Sequence, residues 1–202
     1  MLSFIGNQFK RPEGFGGKVI SFMMKNANKI IYDKVLQILD ICQNDRVFEI
    51  GYGHGVGIDR IASSIDCHVT GIDFSELMFL EAQKRNKTHI ENKKVDLHFG
   101  DFLDYESGGN CYDKIFCINV IYFWDNLEKP FLKIQSELNK GGVFCIYMAH
   151  RDNLKIMKFT KDDIFNKYPI EKVTDELKSA GFVNIEYKYD IGYLITCRKN
   201  LL

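Results

Sequence analysis

The stretch from Arg46 to Gly57 ends an apolar run in one acid, Glu49, and then sets a glycine at every second position: Gly51, Gly53, Gly55 and Gly57. This pattern reads as a buried strand, a tight turn whose bare backbone can approach a ligand, and the start of a helix. A carboxylate beside such a turn suits a ligand that carries positive charge and hydroxyls, and suits a diphosphate poorly. The spacing agrees. A dinucleotide fingerprint needs G-x-G-x-x-G/A, so that pyrophosphate rests on a helix amino terminus. Counted from Gly51, the last position of that pattern is Val56; counted from Gly53 it is Ile58. No G-x-x-x-x-G-K-[ST] occurs, which excludes a P-loop. What remains is E-x-G-x-G-x-G, or a glycine-rich turn with no ligand.

Further acceptors stand where the next three strands should end: Asp73, Asp101 and Asn119. A carboxylate at Asp73 can accept two hydrogen bonds from the vicinal hydroxyls of a ribose, with Phe74 as a flat apolar surface beside it. Asp101 is placed to accept from an exocyclic amine, with Phe102 next to the ring. One strand-end acid alone reads more simply as a loop residue or a cap, and Asp73 stands where it would cap a helix starting near Ser75. Three acids and an asparagine in register with the glycine turn favour a ligand crevice.

After Asn119 come Tyr122, Phe123 and Trp124, rings that either wall a pocket, face a cation, or pack in the core, the last being the reading for Phe123. His150 and Arg151 follow the fifth strand, where His150 could take a proton or bind an anion, or be an ordinary polar loop residue. Tyr122 and His150 are the candidates for a catalytic role. No clustered His and carboxylate ligands follow the fourth strand, so no metal site is expected.

The elements that must position these residues alternate. Apolar residues at helical spacing run from Gly17 to Ile41, with Asn26 and Asn28 as a possible break. Strands are expected at Val47–Ile50, Cys67–Asp73, Val95–Asp101, Tyr112–Asn119 and Val143–Ala149. Helices are expected after the first, second and fourth. In the last of these Leu127, Phe131, Ile134 and Leu138 share one face, and Gly141-Gly142 ends it. Thr160 and Asp163 resemble a capping box, Val173, Leu177 and Ala180 mark another helix, and two strands around Asp190–Gly192 form a hairpin. The implied fold is α/β: a doubly wound, seven-stranded, mostly parallel sheet with an antiparallel C-terminal hairpin strand and helices on both faces. Ligands in such sheets sit at the carboxyl ends of the strands, near a topological switch point.

At 202 residues one domain is expected, with residues 1–41 as N-terminal segment and helices, 46–150 as core, and 151–202 as substrate-side segment and hairpin. Its 27 basic and 27 acidic residues balance, so no global field holds a polyanion and no nucleic-acid partner is expected. No apolar run approaches the ~20 residues of a membrane span, and the first ten residues lack the layout of a signal peptide. The six cysteines show no C-x-x-C spacing. Buried free thiols in a reducing cytoplasm are expected, in a monomer or homodimer.

From about Phe9 to Lys199 the chain resembles the class I S-adenosylmethionine-dependent methyltransferases. The acid-glycine turn is similar to their first motif, Gly71-Ile-Asp-Phe-Ser75 to the second, Gly100–Phe102 and Tyr112–Asn119 to the third and fourth, and Leu138–Phe144 to the L-x-P/K-G-G turn before the fifth strand. The resemblance implies S-adenosylmethionine as cofactor and a small-molecule methyl acceptor. It implies Gly51 and Gly53 beside the methionine part, Glu49 holding its ammonium, Asp73 the ribose, Asp101 with Phe102 the adenine, and Asn119 at the border with the acceptor. Tyr52 departs from the small residue or cysteine usual in the family, and its ring is expected to narrow the pocket. Gln8–Gly17 resembles the family's lid segment.

Overall fold

A computed structural model describes residues 29–109, 111–150, 152 and 165–201. The expected lid at Gln8–Gly17, Arg151 and the capping box at Thr160 lie outside the described residues.

The chain runs α1 (Lys29–Leu39), β1 (Arg46–Ile50), α2 (Val56–Ser64), β2 (His68–Asp73), α3 (Glu76–Arg85), α4 (Lys87–Glu91) and β3 (Val95–Phe99). It continues through β4 (Tyr112–Ile118), α5 (Glu128–Glu137), β5 (Leu138–Ala149), α6 (Ile170–Ser179), β6 (Phe182–Tyr189) and β7 (Gly192–Lys199). The seven strands form one sheet in the order β3-β2-β1-β4-β5-β7-β6. β7 is antiparallel to both neighbours and every other pairing is parallel. The expected architecture is therefore the observed one.

Alternation along the strands assigns each face its helices. Val47, Phe116 and Cys145 point to the side where Val35 and Leu39 of α1 and Ile58 and Ile61 of α2 are buried. Phe48, Ile115, Phe144 and Ile146 point the other way, onto Phe131 and Ile134 of α5 and Val173 and Leu177 of α6. Burying one such side chain is worth about 1.5–3 kcal/mol. Since β1 lies between β2 and β4, the strand order reverses there, and a crevice opens at the carboxyl ends of β1 and β4.

Local signals set the helix ends. Ser75 caps α3 by accepting from the Met78 N–H, and Glu76 at its start and Lys84 and Arg85 at its end suit the helix dipole. Two boundaries differ most from the sequence reading: β3 ends at Phe99, short of the expected Asp101, and α5 ends early. α5 stops at Glu137, before the two glycines, and Leu138 already pairs with Tyr112 in the sheet. The register then shifts until Val143 stands opposite Lys114, with Gly141 at φ +76° in between. Leu138 satisfies the helical period and the strand burial alike, so periodicity alone could not place the break.

Candidate functional site

The glycine turn sits on top of the switch point. Gly51 donates to the Ile72 carbonyl at 2.8 Å, tying the turn to β2. Its φ is +73°, and a Cβ there would come within 2.4 Å of a Val120 methyl group, so only glycine fits. Gly53 also has positive φ, +53°, but nothing lies within 4 Å of where its Cβ would be. From below, α3 braces the turn: Asn86 donates to the Gly55 carbonyl at 3.1 Å and Arg85 to the His54 carbonyl at 3.0 Å.

Two carboxyls flank this turn, one on each side of the chemistry it can do. Asp73 is nearly buried, and each of its oxygens accepts one backbone N–H: Gly53 at 2.9 Å and Ser75 at 2.9 Å. The cap of α3 is Ser75 and not Asp73, as the sequence alone allowed; Asp73 instead ties the Ser75 N–H to the glycine turn at the crevice. Burial pushes its pKa up to about 6 against the pull of these two donors. An ionised carboxylate has about four lone-pair sites, so two remain for hydroxyl donors.

Glu49 is fully buried on the α1/α2 face. Its Oε1 accepts from the Tyr32 hydroxyl at 2.7 Å, while Oε2 has no partner among the described residues. Burial raises its pKa to about 8, with the nearby Asp73 charge adding to the shift and the Tyr32 donor opposing it. A buried oxygen without a donor is costly. A cation placed beside it removes that cost.

On the α5 side a cavity of about 540 Å³ opens beside Gly51 and Asp73. Phe74, Asp101 and Phe102 line it, as do Phe123 and Trp124. Its size lies within the usual range of ligand pockets, roughly 300–1,000 Å³. Asp101 stands two residues beyond the end of β3, with Oδ1 accepting from the Leu103 N–H at 2.8 Å. Val120, Asp125, Asn126 and Lys129 also reach the cavity. Sequence reading missed these four because they lie in a loop and a first helical turn with no periodic signature.

Six candidates do not line this cavity: Glu49 and Gly53, described above, and Tyr52, Asn119, Tyr122 and His150. Tyr52 turns into the α1/α2-side core, where its hydroxyl donates to the His98 carbonyl at 2.9 Å, so its ring does not narrow the cavity. Asn119 has φ +60°, and its Oδ1 accepts from the Tyr122 hydroxyl at 3.0 Å. The same Tyr122 oxygen accepts from the Ala149 N–H, so Tyr122 ties the end of β4 to the end of β5. Burial raises its pKa far above the ordinary tyrosine value, which suits a structural hydroxyl and not a base. His150 packs against Tyr189 and Tyr193, ring centres 5.4 and 5.5 Å away, and its Nδ1 faces the Asp152 N–H at 3.1 Å.

A family model described as a methyltransferase domain matches residues 47–142. The chain is 26% identical to an uncharacterised methyltransferase, YdaC, of Bacillus subtilis, over 85% of this chain and 90% of that one. It is 27% identical to a phosphoethanolamine N-methyltransferase of Plasmodium falciparum, over 86% of this chain and 65% of the other. A sterol 24-C-methyltransferase of Clavispora lusitaniae is 26% identical over 76% of this chain, which spans only 44% of that protein. Among solved structures, phosphoethanolamine N-methyltransferase 2 of Haemonchus contortus, in complex with phosphomonomethylethanolamine and S-adenosylhomocysteine, superimposes with a TM-score of 0.71. It is 17% identical, covering 85% of this chain and 53% of that one, a likeness of fold.

Proposed function

We propose that this chain, which belongs to the class I S-adenosylmethionine-dependent methyltransferases, moves the activated methyl group to a nitrogen, oxygen or sulfur of a small molecule, leaving S-adenosylhomocysteine. The observation that carries the site assignment is the pairing of an open glycine turn with two differently placed carboxyls. Glu49 has an unpartnered buried oxygen that suits the ammonium of the methionine part. Asp73 has lone pairs left for the ribose hydroxyls, and the cavity walled by Phe74, Phe102 and Trp124, with Asp101 at its rim, suits adenine. The open side of Gly53 leaves room for backbone approach.

When bound, the cofactor supplies a sulfonium-activated methyl. The chain's own residues then have three tasks: to fix the donor, to present the acceptor in line with it, and to exclude water. Positioning of that kind supplies several kcal/mol of a barrier, roughly 7–11 in favourable cases. Asn119, held by Tyr122, stands at the end of β4 between the two ligands in this reading. A general base is needed only for an acceptor that arrives protonated, and contributes ~10²–10⁴-fold where used.

The balance of 27 basic and 27 acidic residues supports a small acceptor over a polyanion. So do the names of the relatives, which specify phosphoethanolamine and a sterol as acceptors. The test is incubation of the purified chain with methyl-labelled cofactor and a metabolite panel that includes phosphorylated amines and an olefinic sterol, the last because one relative's name specifies a carbon. Label on a nitrogen, oxygen or sulfur of one small product, with an equal amount of S-adenosylhomocysteine, is the expected result; label on the sterol carbon would overturn the choice of acceptor atom. Label only in protein or RNA, or cofactor binding without turnover of any acceptor, would reject it.

A further inference from the structure

The loop after β4 supplies Val120, Phe123, Trp124, Asp125 and Asn126 to the cavity, yet holds itself with little. Its own backbone bonds are the short turn at Ile121–Phe123, Phe123 N–H to Val120 carbonyl at 3.0 Å and Trp124 N–H to Ile121 carbonyl at 3.3 Å. The firmer restraints come from more than forty residues later. The Trp124 carbonyl accepts two side-chain donors at once, Asn166 Nδ2 at 2.8 Å and the Tyr168 hydroxyl at 2.7 Å. Asn166 donates a second time, from its backbone N–H to the Tyr122 carbonyl at 2.8 Å. A carbonyl oxygen has two lone pairs, and at Trp124 both are filled by one short segment.

Apolar contacts follow the same line. Phe165 is buried with its ring 5.1 Å from that of Phe123, and Phe123 meets Phe74 edge to face at 6.3 Å. Phe74 and Phe123 both line the cavity, and Phe74 is the neighbour of Asp73 in the chain. On the other flank, the Ala149 N–H donates to the Tyr122 hydroxyl at the end of β5. The loop is thus gripped from two sides, by Ala149 at the end of β5 and by the segment Phe165–Tyr168.

We propose that Asn166 and Tyr168 are positioning residues for the cofactor pocket: by filling both lone pairs of the Trp124 carbonyl they fix the pocket wall in its binding shape. The inference rests on the cavity beside Gly51 and Asp73 being the cofactor pocket. A wall that is already ordered loses less freedom on binding, so its restraints appear as affinity as well as stability.

Trp124 is the single tryptophan of the chain, so its fluorescence reports this wall without a label. Tyr168→Phe removes one hydroxyl, and Asn166→Ala removes one amide while keeping the backbone N–H. In the full-length protein each variant should weaken S-adenosylhomocysteine binding by about three- to tenfold, and the double variant by more. Acrylamide quenching of Trp124 should rise in the free variants and return to the wild-type level when they are saturated with S-adenosylhomocysteine. Unchanged affinity in both variants, or affinity lost only in step with melting temperature and with no change in quenching, would overturn the proposal. Wild-type protein that binds S-adenosylhomocysteine without any response of Trp124 would instead reject the pocket assignment, and the proposal with it.

Discussion

Tyr32 of α1 and Glu49 of β1 meet at 2.7 Å in the interior, and the bond satisfies only one of the two carboxyl oxygens. An acid held this way is more stable protonated than ionised in the free protein, with a pKa of about 8 against an ordinary 4.5. Below about pH 4.5 the group is protonated folded or unfolded and costs nothing. Between 4.5 and 8 the unfolded chain releases the proton and the folded one keeps it, so stability falls as pH rises; above 8 the full cost applies. Glu49→Gln removes this cost. Its melting temperature should match the wild type near pH 4.5 and exceed it increasingly toward pH 8, the gain in unfolding free energy being on the order of a few kcal/mol. Thermal melts across that range check it, and a constant offset would show that Glu49 does not titrate there.

The same carboxyl links cofactor binding to protons. A ligand ammonium beside Glu49 favours the ionised form, so binding near pH 7 should release a proton and affinity should rise toward pH 8. Asp73, with a pKa of about 6, is mostly ionised by pH 7, so the step above that pH belongs to Glu49. Calorimetry with S-adenosylhomocysteine in buffers of different ionisation heat measures the proton count. The release should vanish in Glu49→Gln, which should also bind more weakly. Equal proton counts in the two proteins would remove Glu49 from the ammonium site.

The fold was legible in the sequence because its signals are local: apolar runs, helical periods and glycines between them. The glycine turn and the acids Asp73 and Asp101 were legible for a related reason, since strand ends can be counted. What stayed hidden depends on distance along the chain. Nothing in the residues around Tyr32 says that its hydroxyl ends on Glu49. Nor does anything near Trp124 announce Asn166 and Tyr168. Tyr52 shows the opposite failure: it stands inside the motif, but Gly51, at φ +73°, turns the chain so that its side chain leaves the face of Phe48 and Ile50 and enters the α1/α2-side core.

Asp73 combines two roles that substitution can separate. Asp73→Ala leaves the Gly53 and Ser75 N–H groups without their acceptor, which should cost about 1–3 kcal/mol of stability. Loss of charge-assisted bonds to two ribose hydroxyls should lower affinity by a further ~2–3 kcal/mol, or about thirty-fold or more. Asp73→Asn keeps one acceptor oxygen and should fall between in both respects. The comparison is made by measuring melting temperature and S-adenosylhomocysteine affinity for both variants. Normal affinity in a destabilised Asp73→Ala would leave only the structural role of accepting the Gly53 and Ser75 N–H groups.

Gly51 and Val120 are in mutual contact across the switch point, and a pair of substitutions tests whether that closeness shapes the turn. Gly51→Ala faces two penalties: a φ of +73°, and a Cβ driven to 2.4 Å from the Val120 Cγ2. The backbone penalty alone is roughly 1–2 kcal/mol, and the clash adds to it by displacing either the turn or the loop that carries Trp124. Val120→Ala removes the clashing methyl and leaves the backbone penalty in place. The double variant should therefore be more stable than the sum of the two single effects implies, with a favourable coupling of about 0.5–3 kcal/mol. Cofactor affinity should recover only in part, because the alanine still disfavours the left-handed turn that presents the Gly51 backbone. Denaturant melts of the four proteins in the cycle give the coupling. Strict additivity would mean that the turn moves away from β4 when Gly51 is replaced, so that Val120 does not set its position.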